Sequence, residues 1–208
     1  MMGLKDEIIP SFFCVPDISG FTRFIATADI NFSKNFIPAL LSKLISANIL
    51  KMDVAEIEGD AIFFYRTGRL PSIKMVAKQC DLFYKNFYGY IERIRMTDPD
   101  NYTKYFSSGN IGLKIIIHYG KISKTKIKGH IKLIGEDVIV AHRLLKNNVV
   151  EDEYILLSEN YLKKTIKHNL PAIFSAIEIK KGVEEYEHIG KIHYEYLPVD
   201  NTRYSQAS

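Results

Sequence analysis

Phe12–Ile25, FFCVPDISGFTRFI, limits the possible folds of this chain more than any other stretch. Ser11–Val15 is an uninterrupted apolar run, as in a central strand covered on both faces. The run ends at a carboxylate, Asp17, and a Gly-containing turn leads into Phe21, Phe24 and Ile25 at helical spacing. Ser19 reads as the N-cap of that helix, and Pro16 as the residue that ends regular pairing. A second run, Ala55–Tyr65 (AEIEGDAIFFY), reads as two strands, Val54–Glu58 and Ala61–Tyr65, joined by a two-residue Gly59-Asp60 loop of type II′. Two carboxylates at strand ends, beside a helix N-terminus with free N–H groups, suit a divalent metal carrying a polyphosphate. Either Asp taken alone reads equally well as a turn former.

The remaining elements follow from periodicity. A helix is expected from about Asn35 to Leu50, with Ile37, Leu40, Leu41, Leu44 and Ile45 inward and Pro38 in its first turn. Ser72 is placed to cap a long helix whose inward face runs from Ile73 to Ile94. Thr97–Asn110 reads as a surface loop. Ile111–His118 reads as an apolar strand turned by Tyr119-Gly120, with His118 a packed core residue. Lys121–Lys132 carries five lysines among isoleucines; it is either a solvated strand face or an electropositive rim. A helix is expected over Glu136–Lys146, a strand over Tyr154–Leu157, a short helix capped by Ser158, and two or three strands within Phe174–Pro198. The order β-α-α-β-β-α-β is that of a ferredoxin-like split-βαβ sheet, α+β in class, with helices on one face and a C-terminal strand elaboration. Residues 1–200 read as one domain and 201–208 as a polar, disordered tail.

Composition narrows the function. A net charge of +4 over 208 residues is weak: it permits an anionic substrate but does not argue for DNA binding, where a concentrated basic face is expected. Cys14 and Cys80 sit in apolar runs, which suits reduced structural thiols. No run reaches the ~18 consecutive apolar residues of a membrane span. MMGLKDEIIP has no signal-peptide core, so the cytoplasm is the expected compartment.

Four stretches together resemble the catalytic domain of class III nucleotidyl cyclases: PDISGFTRFI, AEIEGDAIFFY, LKIIIHYGKI and IGEDVIVAHRLL. They span most of residues 12–147, and the chain is similar to a divergent, single-domain, bacterial-type member. The resemblance implies two Mg²⁺ or Mn²⁺ ions held by Asp17 and Asp60, with the Ile18 carbonyl as a further ligand. It implies that backbone N–H groups of Ser19, Gly20, Phe21 and Thr22 cradle the triphosphate. Arg143 matches the arginine that stabilises the α-phosphate, and in the family this arginine comes from a second subunit. A homodimer with interfacial sites is therefore implied, as is a nucleoside triphosphate converted to a cyclic 3′,5′-monophosphate and pyrophosphate.

Glu56 and Lys132 match the two base-selecting positions. A carboxylate accepting from a ring N–H and an ammonium donating to a ring carbonyl suit guanine or uracil, so GTP or UTP is expected over ATP; a bare Glu56–Lys132 salt bridge is the alternative. The chain departs from the family at Ile139, which stands where an Asn orients the ribose, and at His142, where a small residue is usual. His188 and Lys191 both lie near the place of a triphosphate-contacting lysine. A catalytically impaired cyclase-like nucleotide-binding or regulatory module is the competing expectation.

Overall fold

The computed structural model describes residues 7–109, 111–165, 170–176 and 178–205. Its centre is β1 (Ile9–Ser19), paired antiparallel with β3 (Ala61–Thr67) on one side and β4 (Gly112–Ile127) on the other. With β2 (Asp53–Glu58) outside β3, these strands form the antiparallel quartet β2-β3-β1-β4 expected of a split-βαβ sheet. β6 (Tyr154–Ser158) then joins β4 in parallel, and the hairpin β7 (Lys180–Tyr186) and β8 (Gly190–Pro198) completes the order β6-β8-β7. β5 (His130–Ile134) folds back on the far half of β4.

Alternation along β1 divides the core. Phe12, Cys14 and Ile18 enter one cluster, where α1 (Phe21–Thr27), α2 (Ile30–Ser46), α3 (Ile73–Thr97) and α4 (Pro99–Tyr105) pack. Phe13 and Val15 enter the other, under α5 (Glu136–Arg143). The second face is thus covered as well, contrary to the expectation of helices on one face only. A central strand with both faces buried is apolar along its covered length, as Phe12–Val15 is.

Several local expectations are corrected. β1 runs through Pro16 to Ser19; its pairing with β3 stops at Cys14, so the residue without an N–H falls where only β4 remains alongside. Ser19 is not the cap of α1: Gly20, at φ +77°, takes that position, and the Ser19 hydroxyl donates to the Asp152 carbonyl. α2 starts at Ile30 because Asp29 accepts from the Asn31 N–H (2.7 Å), which leaves Pro38 inside the helix. Ser72 occupies the N-cap of α3 without a side-chain cap bond. The expected loop at Thr97–Asn110 contains α4, started by Asp98 and Pro99.

β4 does not turn at Tyr119-Gly120. A Cβ on Gly120 would lie 1.9 Å from the Asp137 side chain, so this glycine serves close approach. α6 (Glu159–Leu162) is capped by Ser158 as expected, while α7 (Leu170–Phe174) occupies ground not assigned to a helix from sequence. The tail is ordered as far as α8 (Thr202–Ser205): Tyr204 is buried, donates to Asp81 Oδ1 (3.0 Å) and stacks on Tyr84. Residues 206–208 lie outside the described residues. Among the described residues no helix is long and apolar enough to cross a membrane.

Candidate active site

The site arises where β1 and β3 part. Register with β3 ends at Cys14–Phe64, yet β1 continues five residues further against β4 and β3 continues back to the Gly59-Asp60 turn. The gap between them is a cavity of about 530 Å³, lined by Asp17, Ile18, Ser19, Gly20, Phe21 and Thr22 from the β1–α1 junction and by Glu58, Asp60 and Ala61 from the hairpin. Asp17, Ile18 and Asp60, expected to hold metal, and Ser19–Thr22, expected to cradle phosphate, therefore meet in one place, whereas Lys191 lies elsewhere, beside His118 and Asp137. Ile18 has its side chain in the first core, so it contributes backbone to the cavity wall. Gly59, at φ +61°, makes the sharp reversal that projects Asp60 inward, in keeping with a type II′ turn.

Asp17 and Asp60 line the same cavity, near enough for the charge of one to act on the other. Burial first, and the neighbouring Asp17 charge second, push the Asp60 carboxyl up from 3.8 to about 7. Two carboxyls near enough to couple in this way are stabilised by a shared proton or by a cation. Part of that requirement is met by Lys114, which sequence reasoning did not single out. It lies opposite Asp17 in the β1–β4 register, and its Nζ is 3.0 Å from Asp17 Oδ2 and 3.2 Å from the Leu145 carbonyl. The available signal was a lone basic residue inside an otherwise apolar strand. The ammonium lines the same cavity as the two carboxyls. The donor set suits a hard divalent ion: two carboxylates and main-chain oxygen, short of positive charge even with Lys114 present.

Glu56 and Lys132 come together beside this cavity, with Lys132 Nζ 3.3 Å from Glu56 Oε2. A bulge at Ala55 makes this possible. It moves Glu56 opposite Phe63 rather than Ile62, and so turns Glu56 and Glu58 to the α5 face. There His142 lies between them, Nε2 at 3.1 Å from Glu56 and Nδ1 at 3.2 Å from Glu58, stacked on Phe63 at 4.2 Å. Ile139 is 51% exposed on the same helix. Arg143 stands apart from the aspartate cavity: it is exposed at the end of α5, its guanidinium 6.0 Å from the Tyr186 ring centre.

α5 is anchored by its first turn. Asp137 accepts from the Lys121 N–H (2.6 Å) and meets His118 Nε2 at 3.0 Å, while His118 Nδ1 lies 2.8 Å from Ser158 Oγ. Burial raises the Asp137 carboxyl, but the bonds from His118 and the Lys121 N–H outweigh it and hold the group below its usual value. This Ser–His–Asp chain is structural. His118 is fully buried, as its apolar surroundings led us to expect, and Ser158 is occupied as a helix cap.

The chain is similar to solved cyclase structures over nearly its whole length. The catalytic core of a rhodopsin-guanylyl cyclase with converted specificity, in complex with ATPalphaS, superposes with a TM-score of 0.62 at 14% identity, covering 92% of this chain and 97% of that one. A guanylate cyclase domain from Catenaria anguillulae in complex with GTP gives 0.58 at 15%, covering 92% and 97%. The adenylyl cyclase CyaB from P. aeruginosa gives 0.52 at 12%, covering 93% and 96%. The fold is that of the class III cyclase catalytic domain. In sequence, the chain is 32% identical over 108 residues to the uncharacterized protein Rv2561/Rv2562 of Mycobacterium tuberculosis (strain ATCC 25618 / H37Rv). That match spans 52% of this chain and about half (50%) of the relative's length. Residues 37–154, more than half of the chain, match the model of a family described as protein of unknown function (DUF2652), and the chain belongs to that family.

Proposed function

We propose that the chain is a metal-dependent nucleotidyl cyclase that converts a nucleoside triphosphate, GTP or UTP in preference to ATP, to a cyclic 3′,5′-monophosphate and pyrophosphate. The observation that carries this reading is that Asp17 and Asp60, remote in sequence, line one cavity together with Ser19–Thr22. The fold shared with cyclase catalytic domains supports it. Asp17, Asp60 and the Ile18 carbonyl would hold the Mg²⁺ or Mn²⁺ ions. Divalent ions so held supply Lewis-acid stabilisation of phosphoryl charge and favour deprotonation of a bound hydroxyl.

The chain's own groups account for the rest. The Phe21 and Thr22 N–H groups precede the first intrahelical bond of α1, from Phe24 N to Gly20 O, and would donate to phosphate oxygens. Glu56 and Lys132, already adjacent, offer an acceptor and a donor to a keto base. Arg143, exposed and outside the aspartate cavity, would serve the site of a second copy in a homodimer and stabilise charge on the α-phosphate.

A second reading, a nucleotide-binding module without turnover, is favoured by two observations: Ile139 cannot donate a hydrogen bond to ribose, and Lys114 supplies a cation of the protein's own at Asp17. Incubating the protein with each of the four ribonucleoside triphosphates and Mn²⁺, beside an Asp60→Ala control, separates the two. A cyclic monophosphate from GTP or UTP that vanishes in the control supports the cyclase. Binding without product supports the module.

A further inference from the structure

Glu56, Glu58 and His142 place their donor atoms within 4.8 Å of one another, on the α5 side of β2 and outside the Asp17/Asp60 pair. We propose that these three residues form a second metal site, one that takes a transition-metal dication of the Zn²⁺ type. This site does not depend on the cyclase reading.

Its construction is specific. The bulge at Ala55 brings both glutamates to one face at i, i+2, and α5 lowers His142 between them. Stacking on Phe63 fixes the imidazole plane, as a ligating ring needs. Each ring nitrogen faces one carboxylate, so without a metal the ring can donate to both only when doubly protonated. With the imidazole neutral, as a ligating ring must be, the two glutamates carry two negative charges against the single Lys132 ammonium, which leaves a negative balance for a dication to neutralise.

A metal on one ring nitrogen requires the other carboxylate to swing across. Glu58, with its side chain 55% exposed, is free to do so. Bonds of about 2.0–2.2 Å from a tetrahedral Zn²⁺ set donor atoms about 3.3 Å apart; the 3.1 Å between Nε2 and Glu56 already matches this, and Glu58 has to move from Nδ1 to the Nε2 side. The imidazole is what distinguishes this site from the aspartate pair. Mg²⁺ and Ca²⁺ favour all-oxygen sets, whereas one nitrogen with two carboxylates suits Zn²⁺. Three protein ligands leave a fourth position for water or an incoming group.

The test is Zn²⁺ titration by calorimetry in an Asp17→Asn/Asp60→Asn background, with Co²⁺ as a spectroscopic substitute. We expect one Zn²⁺ per chain and a Co²⁺ visible absorption of tetrahedral intensity. Both should weaken at least tenfold in His142→Ala and, independently, in Glu58→Gln, while circular dichroism and the metal-free melting temperature stay at background values. Glu58→Gln keeps side-chain size, so it remains informative if His142→Ala misfolds. Absence of binding, binding that survives either substitution, or a stoichiometry set by exposed histidines elsewhere would each overturn the site.

Discussion

The two ends of the candidate site differ in how they are built. At the aspartate end every expected residue converges on one cavity, carried by two strands of the central quartet and the start of α1. At the α5 end the residues are presented from β2, β5 and one short helix, and several face outward: Ile139 and Arg143 are exposed, and Glu56 is engaged by Lys132 and His142 at once. On the proposed reading, the residues for metal and phosphate are brought together within one chain, whereas those for ribose and base lie at an open end that a second copy would complete. The first kind of site is rigid because core strands fix it; the second is held by surface pairs, whose energies are individually small.

The contrast can be broken most forcefully at Asp60. Asp60→Asn should reduce cyclic nucleotide formation by at least about 10²-fold, since an ion-binding carboxylate contributes several kcal/mol of charge stabilisation; product analysis with GTP and Mn²⁺ measures this. At the other end, Ile139→Asn restores a donor where the family resemblance implies one. It should raise turnover about tenfold with Mn²⁺ affinity unchanged, part of the 10²–10³ that such a donor is worth in an adapted site. An unchanged rate would favour the binding module.

Lys114→Met removes the ammonium that faces Asp17. Mn²⁺ should then bind about fivefold tighter, roughly 1 kcal/mol of relieved charge repulsion, and the metal-free melting temperature should fall as the carboxyl pair loses its counter-ion. The smallest effect concerns pH. The Asp60 carboxyl is raised in the folded state from 3.8 to about 7, so ionising it costs stability. That cost is absent below about pH 4 and complete above about pH 7. Asp60→Asn should therefore melt higher than the parent at pH 8, by roughly 2–4 °C after allowing for solvent screening of the half-exposed carboxyl, and the gain should vanish toward pH 4.

Much of the fold could be read from sequence because period and turn chemistry agreed. Ser11–Val15, the Gly59-Asp60 reversal and the inward face of α3 each combine pattern with a local signal. The misses have physical causes. Tyr119-Gly120 looks like a turn, but the glycine is there to admit Asp137, a tertiary requirement that is silent in sequence. Tyr204 looks like part of a polar tail, yet its ring finds Tyr84 and Tyr88 and its hydroxyl finds Asp81. In the site, the convergence of Asp17 and Asp60 was legible because both aspartates stand beside diagnostic turns. Lys114 was not, because the register that sets it against Asp17 is a pairing across nearly a hundred residues.

The central claim is that Asp17 and Asp60 act as one divalent-cation site. Mn²⁺ binding followed by electron paramagnetic resonance, with a non-hydrolysable GTP analogue present, tests it directly against Asp17→Asn and Asp60→Asn. We expect the parent to bind Mn²⁺ and each single substitution to abolish most of that binding. Mn²⁺ binding that persists at parental affinity in both variants would contradict the account.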